Sequence, residues 1–362
     1  MLSMDKNLIP AQYSDEFSQA QYQAPPLSYP LVVKTFQQEM GKGPKEVFDS
    51  FSEAAVAGAS IGQVHKATLG DETFAVKIQY PGVAQSLNSD LAIVKPLAMK
   101  LFNIDAKGLE PYIGEIKERL LEETDYVRER EVSEKLISQS KHLPFTHFPG
   151  YREDLSSERI LTMSWIEGEQ LDTYAKREQD QAKRDRIGQA IWDFYHHQIH
   201  TLNVFHADPH PGNFIIRKDE LCVLDFGCVK ELPEDFYKDY FQIIHPDMLK
   251  PENRDRFIQM LYRFDLLLEE DSPREAEIMT KLFTESIELL SRPFTKGEFD
   301  FGDESYFEEL AGFSEKMRLD KEIQSLSQAR GSAHALYLNR TYFGVYNICG
   351  ALKARVKTEM PS

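Results

Sequence analysis

Residues 204–233 read VFHADPHPGNFIIRKDELCVLDFGCVKELP, and the rest of the chain is interpreted outward from them. The runs FII and CVL are apolar and strand-like, the two arms of a β-hairpin. Short turns lie on either side of it and carry Asp208, Asn213 and Asp225. Three oxygen-bearing side chains therefore converge. Phosphoryl transfer needs such a set: an aspartate to orient or deprotonate the acceptor, and an asparagine and a second aspartate to hold magnesium against the phosphates. Mg²⁺ prefers carboxylate and carbonyl oxygens.

Asp208, then Asn213 five positions later, a strand pair, and Asp225-Phe226-Gly227 follow the order of the protein-kinase catalytic and metal loops. A lone Asp-Phe-Gly would arise by chance; the spaced set is far more specific. Two plainer readings compete. Pro209, Pro211 and Gly212 are ordinary turn formers, so Asp208 or Asn213 could simply close a loop on backbone amides. Five histidines, His196, His197, His200, His206 and His210, crowd the region, and the one-turn spacing of His196 and His200 would suit a transition metal. HHQIH, however, has His197 and Gln198 where a zinc protease carries its glutamate. Helix capping or loop bracing is the expected role of these histidines.

Upstream, AVAGASIGQVHKATLGDETFAVKIQY (55–80) predicts short strands around a small-residue turn at Ala57, Gly58, Ala59 and Ser60 and a tight Gly70-Asp71 turn. Small residues let backbone amides approach phosphate oxygens, and Ser60 adds a hydroxyl. Lys77, preceded by Ala75 and Val76, stands where the lysine of V-A-I-K meets the α- and β-phosphates. It needs a carboxylate partner from a helix. The segment 108–139 has the helical period, with Ile113, Ile116, Leu120 and Leu121 on its apolar face. It offers Glu123 first and Glu129 second; six residues is not a helical repeat, so both cannot point the same way. Between Lys77 and that segment, QYPGVAQSLNSDLAIVKPLAMKLFN predicts an additional inserted helix. RILTMSWIEGEQL then gives a strand and a linker, 163–168, whose Met163, Trp165 and Ile166 are the expected neighbours of a nucleotide base. Beyond Pro233 the chain reads as helical, with no serine- or threonine-bearing activation segment and no Ala-Pro-Glu landmark. A peptide acceptor is not expected.

Composition narrows the alternatives. A net charge of −17 argues against a nucleic-acid-binding surface. There is no apolar run of spanning length and no secretory pattern in the first residues. Cys222, Cys228 and Cys349 have neither disulfide nor metal spacing, so a reducing cytoplasm is the default compartment. Any membrane contact is expected to be peripheral, for instance through the aromatic-rich stretch 337–346, although core packing is the simpler role for those rings.

AGASIGQVH, FAVKIQYPG, EETDYVRE, LTMSWIEG, FHADPHPGN and VLDFG, in this order over nearly the whole chain, resemble the UbiB-type atypical kinases, also called the AarF or ADCK family. The resemblance implies an α+β, two-lobed protein-kinase-like fold. It would comprise an N-terminal helical extension (1–50), a small antiparallel-sheet lobe with the inserted helix (51–166) and a mainly helical lobe (167–362). It implies ATP and Mg²⁺ as cofactors, and ATPase or phosphotransferase activity linked to isoprenoid-quinone (ubiquinone) or other lipid metabolism. The lipid or quinone precursor would then be the partner. By the resemblance Lys77 contacts phosphates, Glu123 pairs with it, Asp208 is the catalytic acid or base, and Asn213 and Asp225 bind magnesium. Val56, Ala57, Gly58, Ala59, Ser60, Gln63 and Val64 join Met163, Trp165 and Ile166 as nucleotide contacts. Gly58 occupies a position that the family's loop fills with alanine, which leaves the nucleotide preference open. The family's Lys-x-Gly-Gln element is not found, and the expectation is that Met1 lies just downstream of it, leaving the pocket it would cover more open. Two further classes are a nucleotide-binding pseudokinase that assists lipid handling or assembly, and a small-molecule kinase of the aminoglycoside phosphotransferase type.

Overall fold

The computed structural model describes residues 27–59, 61–102, 113–114, 117, 121, 123–320, 322–323 and 330–359. The expected helix in 11–23, Ser60, Ile116 and Leu120 lie outside the described residues. The chain divides into two compact units. The first comprises Met1–Lys141, His147–Glu167 and Cys222–Cys228, and the second His142–Thr146, Gly168–Leu221 and Val229–Ser362.

In the first unit alternating apolar residues build an antiparallel sheet from β1 (Ser50–Phe51), β2 (Ala57–Ala59), β3 (Gly62–Leu69), β4 (Glu72–Gln79) and β5 (Ile160–Ser164). The order is β1-β3-β4-β5, with β2 hydrogen-bonded to β3. Gly70, at φ 57°, makes the tight β3–β4 turn. A Cβ on Gly62 would lie 2.3 Å from the Ile78 carbonyl oxygen, so only glycine lets the two strands close there. The period of two splits the sheet into faces. Ala67, Phe74, Val76, Ile78 and Ile160 pack on one face with Phe48, Phe51 and Val32 and Phe36 of α1 (Tyr29–Met40). Each fully buried aromatic or branched side chain contributes ~1.5–3 kcal/mol, so the described part of the N-terminal region belongs to the sheet's own core. The other face carries Leu161 and Met163, packed with Ala75, Tyr151 and Tyr126. The inserted helix is present as α2 (Val83–Phe102) and leaves Ile93 and Val94 exposed.

The long acidic segment is not one helix. It breaks at Thr124, whose carbonyl accepts from Gln79 Nε2 at 2.8 Å. Asp125 then caps α3 (Tyr126–Ser140) by accepting from the Arg128 amide.

The second unit is mainly helical. α4 (Gln181–His197) runs into a π-helical turn, Gln198–Leu202, and then β6 (Val204–His206). β7 (Phe214–Arg217) turns into β8 (Glu220–Val223) through Lys218 and Asp219, both left-handed as a two-residue hairpin loop requires. β9 (Val229–Glu231) pairs antiparallel with β6 and leads, after Leu232 and Pro233, directly into α5 (Glu234–Ile243). Later come Arg254–Arg263, Pro273–Ser291, Glu304–Leu319 and α6 (Ala333–Leu352). Trp192, Phe294, Phe301, Tyr342 and Tyr346 form an aromatic core. The aromatic stretch 337–346 thus faces inward: Tyr337, Tyr342 and Tyr346 are all buried. Among the described residues no helix is long and apolar enough to cross a membrane.

Candidate active site

In the first unit the chemistry centres on Lys77. Val64 of β3 and Leu161 of β5 are its cross-strand partners, so Lys77 rises from the face opposite the aromatic core. Its Nζ donates to Glu129 Oε1 at 2.9 Å and to Asp225 Oδ2 at 3.4 Å, and lies 4.9 Å from the centre of the Tyr126 ring. The lysine and Glu129 are almost fully buried, whereas Asp225 keeps 34% of its side chain exposed. Burial works against the ammonium, but Asp225 and Glu129 outweigh it and hold Lys77 well above the ordinary lysine range. Burial pushes Glu129 up to about 7, with Lys77 opposing. One cation shared by two carboxylates leaves a negative excess, and the more buried acid bears it.

The partner of Lys77 is therefore Glu129 and not Glu123. Asp125 starts a new helix, which puts Tyr126 and Glu129 three residues apart on one face of α3, both against Lys77. Glu123 precedes the break and acts on Glu129 as a nearby like charge. The signal lay in Asp125, a capping residue type ahead of a helical run.

Gln63 also departs from expectation. The sheet's alternation turns it to the face opposite Lys77, where it is 1% exposed, its Oε1 accepts from the Leu27 amide and its Nε2 meets His65. Val56, Ala57 and Gly58 lie exposed on the β2 side of the hairpin, with Ala59 half-buried. Met163 is buried beside Leu161 and Tyr126. Trp165 donates its indole N–H to Glu167, and Lys66 sits 4.5 Å over its ring; Ile166 is half-buried. In the Asp225-Phe226-Gly227 turn the Gly227 amide donates to Asp225 Oδ1 at 2.7 Å, fixing the carboxylate, while Phe226 is buried against Phe148.

In the second unit Gln198, fully buried on the π-helical turn, accepts from the His206 amide at 2.8 Å and so holds the strand that delivers Asp208. The loop is closed on itself. The Asp208 carbonyl accepts from the His210 amide and from Asn213 Nδ2, and His210 Nδ1 accepts from the Gly212 amide. His200 bonds Tyr237 through Nδ1 and Tyr342 through Nε2, so neither ring nitrogen is left for a metal. Burial lowers His196 to about 4 and His200 to about 3. One contact escaped the sequence reading: Arg340 of α6 donates from Nη2 to Asp208 Oδ1 at 3.0 Å. It is the one Lys, Arg, Asp or Glu in that helix, and a charge in an apolar helix calls for a partner.

These donors suit a magnesium-bound polyphosphate. In the first unit Asp225 presents a part-exposed carboxylate beside the fixed ammonium of Lys77; in the second, Asn213 uses its amide nitrogen within its own loop. The Tyr126 hydroxyl beside this cluster is buried without a hydrogen-bond partner.

The description ABC1 atypical kinase-like domain matches residues 19–260. The mouse protein named AarF domain-containing protein kinase 1 is 31% identical over 246 residues, covering 64% of this chain and 46% of the relative. The zebrafish Atypical kinase COQ8B, mitochondrial, is 27% identical over 365 residues, 98% of this chain and 56% of the relative. The chain spans about half the length of such curated relatives. Among solved structures, Rv3197 of Mycobacterium tuberculosis in complex with erythromycin aligns with a TM-score of 0.67 at 25% identity, covering 99% of this chain and 88% of that one.

Proposed function

The chain belongs to the ABC1 atypical kinase-like family, with a kinase-like fold, and from that premise we propose that it binds magnesium-ATP and hydrolyses it or transfers its terminal phosphoryl group. The observation that carries this reading is the buried Lys77, shared between Glu129 at 2.9 Å and Asp225 at 3.4 Å. An ammonium held charged on the Val64–Ala75–Met163 face of a sheet is built to meet phosphate, not solvent. Asp225 and Asn213 are the assigned magnesium ligands; the ion would neutralise charge on the phosphates. In the transfer the acceptor oxygen bonds to the γ-phosphorus as the β–γ bridging bond breaks. ADP leaves with the electron pair, and Asp208 takes the acceptor's proton.

The family resemblance suggests the acceptor class, and the chain after Asp225-Phe226-Gly227 is compatible with it. Only β9, Leu232 and Pro233 separate Cys228 from α5, too short a run for a peptide-docking segment. A lipid or isoprenoid-quinone precursor, or water, is the assigned acceptor, with membrane contact peripheral. A pseudokinase that binds nucleotide without turnover is the second reading, favoured by the engagement of Asp208 by Arg340.

The test is magnesium-dependent ATP turnover by wild type, Asp225→Asn and Asp208→Asn, with and without anionic liposomes. Loss of the acid or base is expected to lower turnover by ~100-fold or more. Equal rates in wild type and Asp225→Asn would remove the catalytic claim, and binding without turnover in every lipid condition would select the pseudokinase.

A further inference from the structure

We propose that Arg340 is a positioning residue for Asp208, and that α6 is thereby part of the seat of the catalytic loop. The inference rests on the phosphoryl-transfer reading above. A terminal carboxylate rotates in a broad torsional well, so an aspartate that must face one acceptor oxygen needs an external hold. Arg340 provides it. Its Nη2 donates to Oδ1 at 3.0 Å, with 13% of the arginine side chain and 29% of the aspartate side chain exposed. A guanidinium stays charged at any working pH, so the donor side of the hold does not titrate.

Three features make α6 a seat rather than a passing contact. One turn beyond Arg340, on the same face, a Cβ added to Gly344 would lie 2.2 Å from Pro209 Cγ and 3.1 Å from the Pro209 oxygen. The helix backbone therefore rests directly on the residue after Asp208. One turn before, the Tyr337 ring carries the Lys230 ammonium at 5.2 Å, and Lys230 pairs across the strands with Phe205, three residues ahead of Asp208. The helix itself is fixed in register. Tyr240 donates to Asn339, Ser332 caps the first turn, and Arg330, just ahead of it, is buried in a two-oxygen pair with Asp271. A rigid support of this kind can set a carboxylate's direction, whereas a latch would have to release it.

The experiment uses the full chain and compares steady-state magnesium-ATP turnover with equilibrium magnesium-ATP binding for wild type, Arg340→Gln, Arg340→Lys, Asp208→Asn and the Arg340→Gln/Asp208→Asn pair. Arg340→Gln should lose ~100-fold in kcat, the scale of a misplaced catalytic group, with nucleotide affinity within ~3-fold of wild type. Arg340→Lys should recover part of the loss, and the double variant should be no slower than Asp208→Asn alone. Gly344→Ala approaches the same seat without touching a charge, and should lower kcat while leaving affinity in place. If Arg340→Gln misfolds, Arg340→Lys and Gly344→Ala still decide the matter: wild-type kcat in both overturns the proposal. So does a rise in turnover for any Arg340 variant, which would mark a latch, or a double variant whose losses multiply. If Asp208→Asn is inactive and Arg340→Gln behaves as wild type, only this proposal falls. If wild type itself binds without turning over, the enzymatic reading falls and takes the proposal with it.

Discussion

The two units solve the same problem, holding an acid in place, by opposite means. In the first, Lys77, Glu129 and Asp225 come from stretches 52 and 148 residues apart and meet in a buried cluster of one cation and two anions. In the second, Asp208 sits on a loop closed by bonds between neighbours five residues apart or fewer, and paired with Arg340 it still keeps 29% of its side chain exposed. Buried charge makes the first site dependent on every member. The second site's geometry is local, and its charge is shared with solvent.

The largest expected effect follows from that difference. Lys77→Met leaves the buried Glu129 without its counter-charge beside the part-exposed Asp225 and should cost ~3–5 kcal/mol of folding stability. Urea unfolding should show Arg340→Met costing clearly less, because Asp208 retains solvent. Equal costs would break the comparison.

Acid should separate the units in sign. Glu129 titrates at about 7 when folded against 4.5 otherwise, so its contribution is complete below pH 4.5 and is lost as pH rises through about 7. His196 and His200 are lowered to about 4 and about 3 from 6.5, so their contribution is present above pH 6.5 and lost as pH falls toward those values. Between pH 7 and pH 5 the first unit should gain ~2 kcal/mol and the second lose ~2 kcal/mol for each of the two histidines, at ~1.4 kcal/mol per tenfold change in proton activity. Hydrogen exchange followed by mass spectrometry, corrected for intrinsic rates, would resolve the two trends. Glu129→Gln should flatten one and His200→Gln about halve the other. Parallel trends would show that the buried charge is not what distinguishes the units.

The smallest effect contrasts two glycines. A Cβ at Gly58 meets nothing within 4 Å, so Gly58→Ala should stabilise by ~0.5 kcal/mol, read as a small rise in melting temperature. Gly344→Ala, pressed on Pro209, should destabilise by ~1–3 kcal/mol.

The sequence alone determined the kinase-like fold class, because the spacing from Asp208 to Asn213 to Asp225 and the period-two pattern around Lys77 are properties of neighbours along the chain. The Lys218-Asp219 hairpin and the inserted helix α2 were legible for the same reason. Tertiary structure decided the rest. Gln63 changed faces because a strand admits only two, and the one Lys77 occupies was taken by Val64. Glu129 displaced Glu123 because Asp125 restarted the helix, a capping event that helical periodicity read across the break could not register. Arg340, 132 positions from Asp208, stood out locally as the lone charge of an apolar helix, but which group it meets depends on what the fold buries beside it.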